Sequence, residues 1–192
     1  GGNPLSHPDL ERFLAHLKEL KCFPNMTINQ THFIEEFERL KEMRDKELFY
    51  GLGVSVFNPD EDLAHKLLEF PNAVVHTIAG ITTLSMLKKM KTLGIKKVLM
   101  LGYKNFGRGA QYYNENIRKN IEELRQNLKE IKTWFKVLSF DNLAIKQLEV
   151  QNIMNKEEWE RFYMGDDGCY TMYVDLVKKQ YAQSSTSIER FD

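Results

Sequence analysis

Two short stretches hold most of the residues able to do chemistry. HTIAGI (76–81) sets His76, Thr77 and Gly80 at the end of an apolar run, where a strand is expected to finish. YKNFGRG (103–109) packs Gly107 and Gly109 with Lys104 and Arg108 into one loop. Such a loop can bring backbone N–H groups and two cations to one anion. Each stretch also has a plainer reading. Paired glycines serve a tight turn more often than a ligand. A histidine in an apolar strand is more often a hydrogen-bonded core residue than a catalyst.

The remaining reactive side chains do not organise. His7, His16, His32 and His65 lack metal-ligand spacing. Cys22 and Cys169 are the two cysteines, too few for a disulfide framework or a four-thiolate site. Asp166 and Asp167 precede Gly168 as turn formers, and Ser184, Ser185 and Ser187 read as a solvated tail. No GxSxG, P-loop or GxGxxG pattern occurs, so hydrolase, nucleotidase and dinucleotide chemistry find no support. The 27 basic and 27 acidic residues cancel, which removes an electrostatic case for nucleic acid or for an acidic mimic of it. No apolar run approaches the ~20 residues that cross a bilayer, and no signal peptide is read. The expectation is a soluble protein of a reducing compartment, cytoplasmic and without a membrane.

These candidates must be positioned by a regular scaffold. The 192 residues suit one domain with a real core, and 42% apolar against 28% charged residues indicates a globular chain. Short β-branched runs alternate with amphipathic stretches. In 8–20, Leu10, Phe13, Leu14 and Leu17 share one helical face, with Pro8 in the first turn. Residues 26–29 predict a strand, and 31–45 a helix capped by Thr31 with Phe33, Phe37 and Leu40 inward. Strands follow at 51–57, 74–80, 97–104 and 135–140. Helices lie between them: one starting at Asn58-Pro59-Asp60-Glu61, one ending at Gly94, one over about 111–132, and one beginning at 141–150. Continuous apolarity in KVLMLGYK suits a strand covered on both faces.

Strand alternating with helix argues α/β with a parallel sheet, either doubly wound or part of a (β/α) barrel. Residues 151–192 break the rhythm, and CYTMYVDLV (169–177) alternates like a strand, so an antiparallel extension is expected there. Without a linker, the chain is read as a single domain: a partial barrel over 1–150 and a cap over 151–192.

Taken in order, the strand ends resemble those of the radical S-adenosylmethionine (SAM) superfamily. GGNPLSHPDL, at residues 1–10, resembles the GGEP segment that closes the second barrel strand and runs into a helix. Ser55 in GVSV stands where the fourth strand offers a polar group to the ribose. His76 to Gly80 resembles the fifth-strand GxIxG segment beside the adenine, and VLMLGYK resembles the sixth strand. The resemblance covers about residues 1–140. It implies a partial (β/α) barrel in which Gly1, Gly2, Asn3, Pro4, Ser55, His76, Ile78, Gly80 and Tyr103 line SAM. Lys104, Gly107, Arg108 and Gly109 would then face substrate or an anion.

The chain also departs from that pattern. The CxxxCxxC loop that holds a [4Fe–4S] cluster is absent from this sequence. Asn3 replaces the GGEP acid and accepts more weakly from an ammonium. His76 replaces the first glycine of GxIxG, and Thr83 stands where an acid often does. A barrel lacking its first two strands presents an unpaired edge that a protein partner or a second copy would cover. Two readings follow. In one, the chain is a non-catalytic binding or regulatory protein, for instance a phage-type inhibitor, with no cofactor. In the other it is part of a radical SAM enzyme whose cluster segment lies upstream of residue 1, with SAM and [4Fe–4S] as cofactors.

Overall fold

The computed structural model describes residues 3–192; Gly1 and Gly2 of the opening motif lie outside the described residues. The contacts divide the chain into two compact units, Gly1–Leu148 and Glu149–Asp192.

The first unit is a five-stranded parallel sheet: β1 (Asn25–Asn29), β2 (Gly51–Ser55), β3 (Ala73–Ile78), β4 (Lys97–Leu101) and β5 (Val137–Phe140). Their spatial order is β1-β2-β3-β4-β5, the same as their sequence order. A doubly wound sheet reverses order at a switch point, whereas right-handed crossovers in unbroken sequence put every helix on one face. The fold is therefore α/β, a partial (β/α) barrel, as the alternation predicts.

The strand alternation shows which face the helices cover. Met26, Ile28, Leu52, Val54, Val75, Thr77, Val98 and Met100 are buried. Their register partners lie side by side, as in Ile28–Val54–Val75–Val98. Against this face pack α1 (Leu10–Glu19), α2 (Gln30–Glu35), α3 (Phe37–Asp45), α4 (Glu61–Leu68), α5 (Leu84–Thr92), α6 (Arg108–Tyr112), α7 (Glu115–Gln126), α8 (Leu128–Ile131) and α9 (Asn142–Gln147) as a layer of mostly short helices. Phe33, Phe37 and Phe70 meet edge to face with centroids 5.6–5.7 Å apart, anchoring α2 and α3 to the segment before β3.

Several boundaries differ from the sequence expectation for local reasons. Asn29, not Thr31, caps α2 by accepting from the His32 N–H at 2.8 Å. The expected helix over 31–45 breaks at Glu36, which separates α2 from α3. Asp60, not Asn58, caps α4, accepting from Leu63 N–H at 2.9 Å. Asn114 caps α7, so the expected helix over 111–132 becomes three, with α8 starting past Asn127.

The second unit carries α10 (Lys156–Phe162), opened by an Asn155–Glu158 capping box, and the antiparallel pair β6 (Tyr173–Asp175) and β7 (Gln180–Ala182). The expected strand over 169–177 thus shortens to three residues, because Asp175 turns the chain by accepting from the Val177 and Lys178 N–H groups.

Candidate functional site

The sheet face opposite the helices carries the polar residues. Register places Asn29, Ser55, His76, Leu99 and Ser139 in one row across all five strands. Asn29 is exposed and the other four are half-buried. One step toward the carboxyl ends, Ile78 pairs with Leu101 on the same face, and Ile78 is 37% exposed. This open face is therefore divided: hydroxyl, amide and imidazole groups over β1–β3, and a small apolar platform over β3–β4.

His76 is held in a particular way. A Cβ on Gly53 would lie 2.4 Å from His76 Cε1, 2.6 Å from Nε2 and 2.8 Å from Thr27 Oγ1. The imidazole thus lies across β2 over the one strand position without a side chain, and Thr27 from β1 closes over the same spot. Among the described residues neither the ring nor the Thr27 hydroxyl has a side-chain hydrogen bond, so the expected satisfied core histidine is not what is found. Burial lowers the His76 pKa below its ordinary value, with no charged neighbour contributing. Lys97, the nearest cation in the adjacent row, directs its Nζ to the Pro71 carbonyl at 2.8 Å. The ring is consequently neutral at pH 7, with one donor and one acceptor nitrogen.

Polar side chains fasten the loops that leave the strand ends, and the sequence reading missed these residues. Buried Gln30 accepts from the Phe57 and Asn58 N–H groups at 3.2 and 3.0 Å and donates to the Asn58 carbonyl at 2.6 Å. Asn120 on α7 donates to the Gly80 carbonyl at 2.8 Å. Asp141 accepts from Gly102 N–H at 2.9 Å while capping α9 through Ala144 N–H at 2.7 Å. An amide after a strand carries no local signature of a partner 28 residues away, so only Asp141, at an expected helix start, was open to detection.

The other expected site residues separate. Asn3 accepts from Leu5 N–H at 3.1 Å, capping a single 3-10 turn that Pro4 begins. Gly80 has φ of 88°, and a Cβ there would meet Ile117 of α7 at 2.7 Å, so its glycine serves the turn and that helix contact. Tyr103 is buried and donates its hydroxyl to the Gly109 carbonyl at 2.7 Å. In the loop, Lys104, Gly107 and Arg108 are exposed, and a Cβ on Gly109 would lie 1.9 Å from the Lys104 carbonyl oxygen. Gly109 therefore permits a close backbone crossing, and the helix that follows has five residues.

Beside this loop a cleft of about 200 Å³ is lined by Asn105, Tyr113, Arg118, Arg125 and Gln147, among others. Its arginines are already engaged: Arg118 with Glu115, and Arg125 with Glu122. Among the described residues no group of three or more His, Cys, Asp or Glu could hold a metal ion. Cys22 and Cys169 are exposed. The residues of this chain do not fit a [4Fe–4S] cluster, which needs three thiolates, and no step through one is derived. Among the described residues no helix is long and apolar enough to cross a membrane. Comparison with protein-family models, curated proteins and solved structures returns no match.

Proposed function

We propose that the partial barrel binds an adenosine-containing ligand on its open face. In the radical SAM reading that ligand is S-adenosylmethionine, and the cluster chemistry is supplied by residues outside this chain. The observation that carries the reading is the division of the open face. Asn29, Ser55 and His76 offer polar groups in one row, which suits ribose hydroxyls. Ile78 and Leu101 offer an adjacent apolar surface, which suits the face of a purine. Both lie at the carboxyl ends of parallel strands, where ligands bind in (β/α) barrels. The donor set fits a neutral nucleoside better than an anion, because Lys97, the cation on this face, is directed to the Pro71 carbonyl.

A chemical-shift titration of the chain with adenosine and with S-adenosylmethionine tests this. Movement of the Asn29, Ser55, His76 and Ile78 amides, abolished by Ser55→Ala with His76→Ala, supports the reading. Saturating additions that move none of them overturn it.

A second reading, a non-catalytic binding or regulatory protein, draws on a separate observation. β1 and β5 are the terminal strands of the sheet, and among the described residues neither has a partner on its outer side. Unpaired edges are templates for strand addition by a protein partner or a second copy. An anaerobic iron and sulfide count with intact mass on the natural gene product separates the two. About four irons per chain at a mass well above 22.6 kDa supports the enzyme; a mass near that value without iron supports the binding protein.

A further inference from the structure

The pairing of Thr27 with His76 over Gly53 goes further than a polar face. Two hydrogen-bonding atoms, Thr27 Oγ1 and His76 Nε2, converge on one point above β2, 2.8 and 2.6 Å from where a side chain at position 53 would begin. They come from strands on either side of β2, since Thr27 pairs with Gly53 and His76 with Ser55. Among the described residues neither atom is bonded to the other or to anything else. Neither belongs to the buried polar atoms that lack a partner, which among the described residues means His32 Nδ1 alone. Both can therefore be reached from the open face.

We infer that Thr27 and His76 form a hydroxyl clamp that selects a ribose over a deoxyribose in the bound ligand. A threonine hydroxyl donates and accepts, and a neutral imidazole supplies one of each. Between them a sugar hydroxyl finds an acceptor for its proton and a donor for its lone pair. A deoxy sugar leaves both protein atoms desolvated and unpaired, which is the origin of discrimination by hydroxyl-binding sites. Gly53 is part of the device, because any side chain there would occupy the position the hydroxyl needs. The inference rests on the nucleoside reading above and deepens it by naming which hydroxyl-bearing sugar the site accepts.

The test compares adenosine with 2′-deoxyadenosine and 3′-deoxyadenosine in chemical-shift titrations of the full chain and of Thr27→Val and His76→Phe. The expected result is about tenfold weaker binding of at least one deoxy analogue by the unaltered chain. Each variant should bind all three nucleosides alike. His76 ring nitrogens, observed directly, should move on adding adenosine and stay put with the disfavoured analogue. If folded variants keep the ribose preference, or the ring nitrogens never move while Ser55 and Ile78 do, the clamp is wrong and the nucleoside reading stands. If adenosine moves no open-face resonance at all, both fall. Thr27→Val, which keeps the side-chain shape, decides the matter should His76→Phe not fold.

Discussion

Gln147 and Tyr103 are joined by two reciprocal hydrogen bonds. The Tyr103 N–H donates to Gln147 Oε1 and Gln147 Nε2 donates to the Tyr103 carbonyl, each at 2.8 Å. The pair works like one more rung of a sheet, made by a side chain where β4 has already ended. It fixes the chain at the start of the YKNFGRG loop, and Tyr103 then holds the far side of that loop through Gly109.

Removing this clasp should be costly. Gln147→Ala leaves two backbone groups of a buried residue unpaired, with an expected loss of about 1–3 kcal/mol in urea unfolding. Amide exchange should accelerate across 103–109 before it does in β3. Unchanged exchange there would show that the loop is held by something else.

Gln30 is the counterpart at the other side of the sheet. It is 4% exposed and makes three hydrogen bonds to the chain after β2. Gln30→Ala should lower stability by about 1–3 kcal/mol, whereas Gln30→Glu keeps the acceptor and loses the donor to Asn58. The alanine variant should also weaken any ligand bound over Ser55, because the β2 end loses its tether. Equal stability of wild type and Gln30→Ala in denaturant titration would contradict this.

Gly109→Ala should destabilise more than an ordinary loop substitution. The added carbon would sit 1.9 Å from the Lys104 carbonyl oxygen, a backbone atom that can move only with its loop. A loss of about 1–3 kcal/mol is expected. By contrast, Lys104→Ala with Arg108→Ala removes two exposed cations and should change stability by less than about 0.5 kcal/mol. Should phosphate or sulfate binding also be unchanged in that double variant, the loop is not an anion site.

Acidification should weaken the fold through His76. Burial lowers its folded pKa below the unfolded value of about 6.5. In the interval between the two values the unfolded chain binds more protons, so stability falls as pH drops through it and is at full strength above about 6.5. His76→Phe should flatten that slope in thermal melts between pH 7 and pH 5. A slope of unchanged steepness would assign the effect to other groups.

Legibility in the sequence followed the range of the interaction. The strands at 51–57, 74–80 and 97–104 were visible because period and β-branching are local properties, and the observed β2, β3 and β4 fall within or beside those bounds. Their carboxyl ends were overextended, because a strand stops where its neighbour stops pairing, and that is not written in the strand itself. Helix 31–45 reads as continuous, yet Glu36 breaks it where the chain turns between α2 and α3.

The candidate site divides in the same manner. Ser55, His76 and Ile78 were picked out by their place at strand ends, and register sets all three on one face. Thr27 and Gly53 gave no signal, since a threonine and a glycine in β-rich runs are ordinary there. Gly80 and Tyr103 stood out by residue type, but their geometry is used by a turn, by α7 and by Gly109.

By itself, then, the sequence determined the alternation of elements, the parallel sheet and the antiparallel extension, because those depend on periodicity and on short-range capping. Only the tertiary structure decided the unbroken strand order, the division of the open face into polar and apolar parts, and the convergence of Thr27 and His76 over Gly53. These depend on which residues of separate strands stand opposite one another. A shift of one residue in that register would send every one of those side chains to the other face.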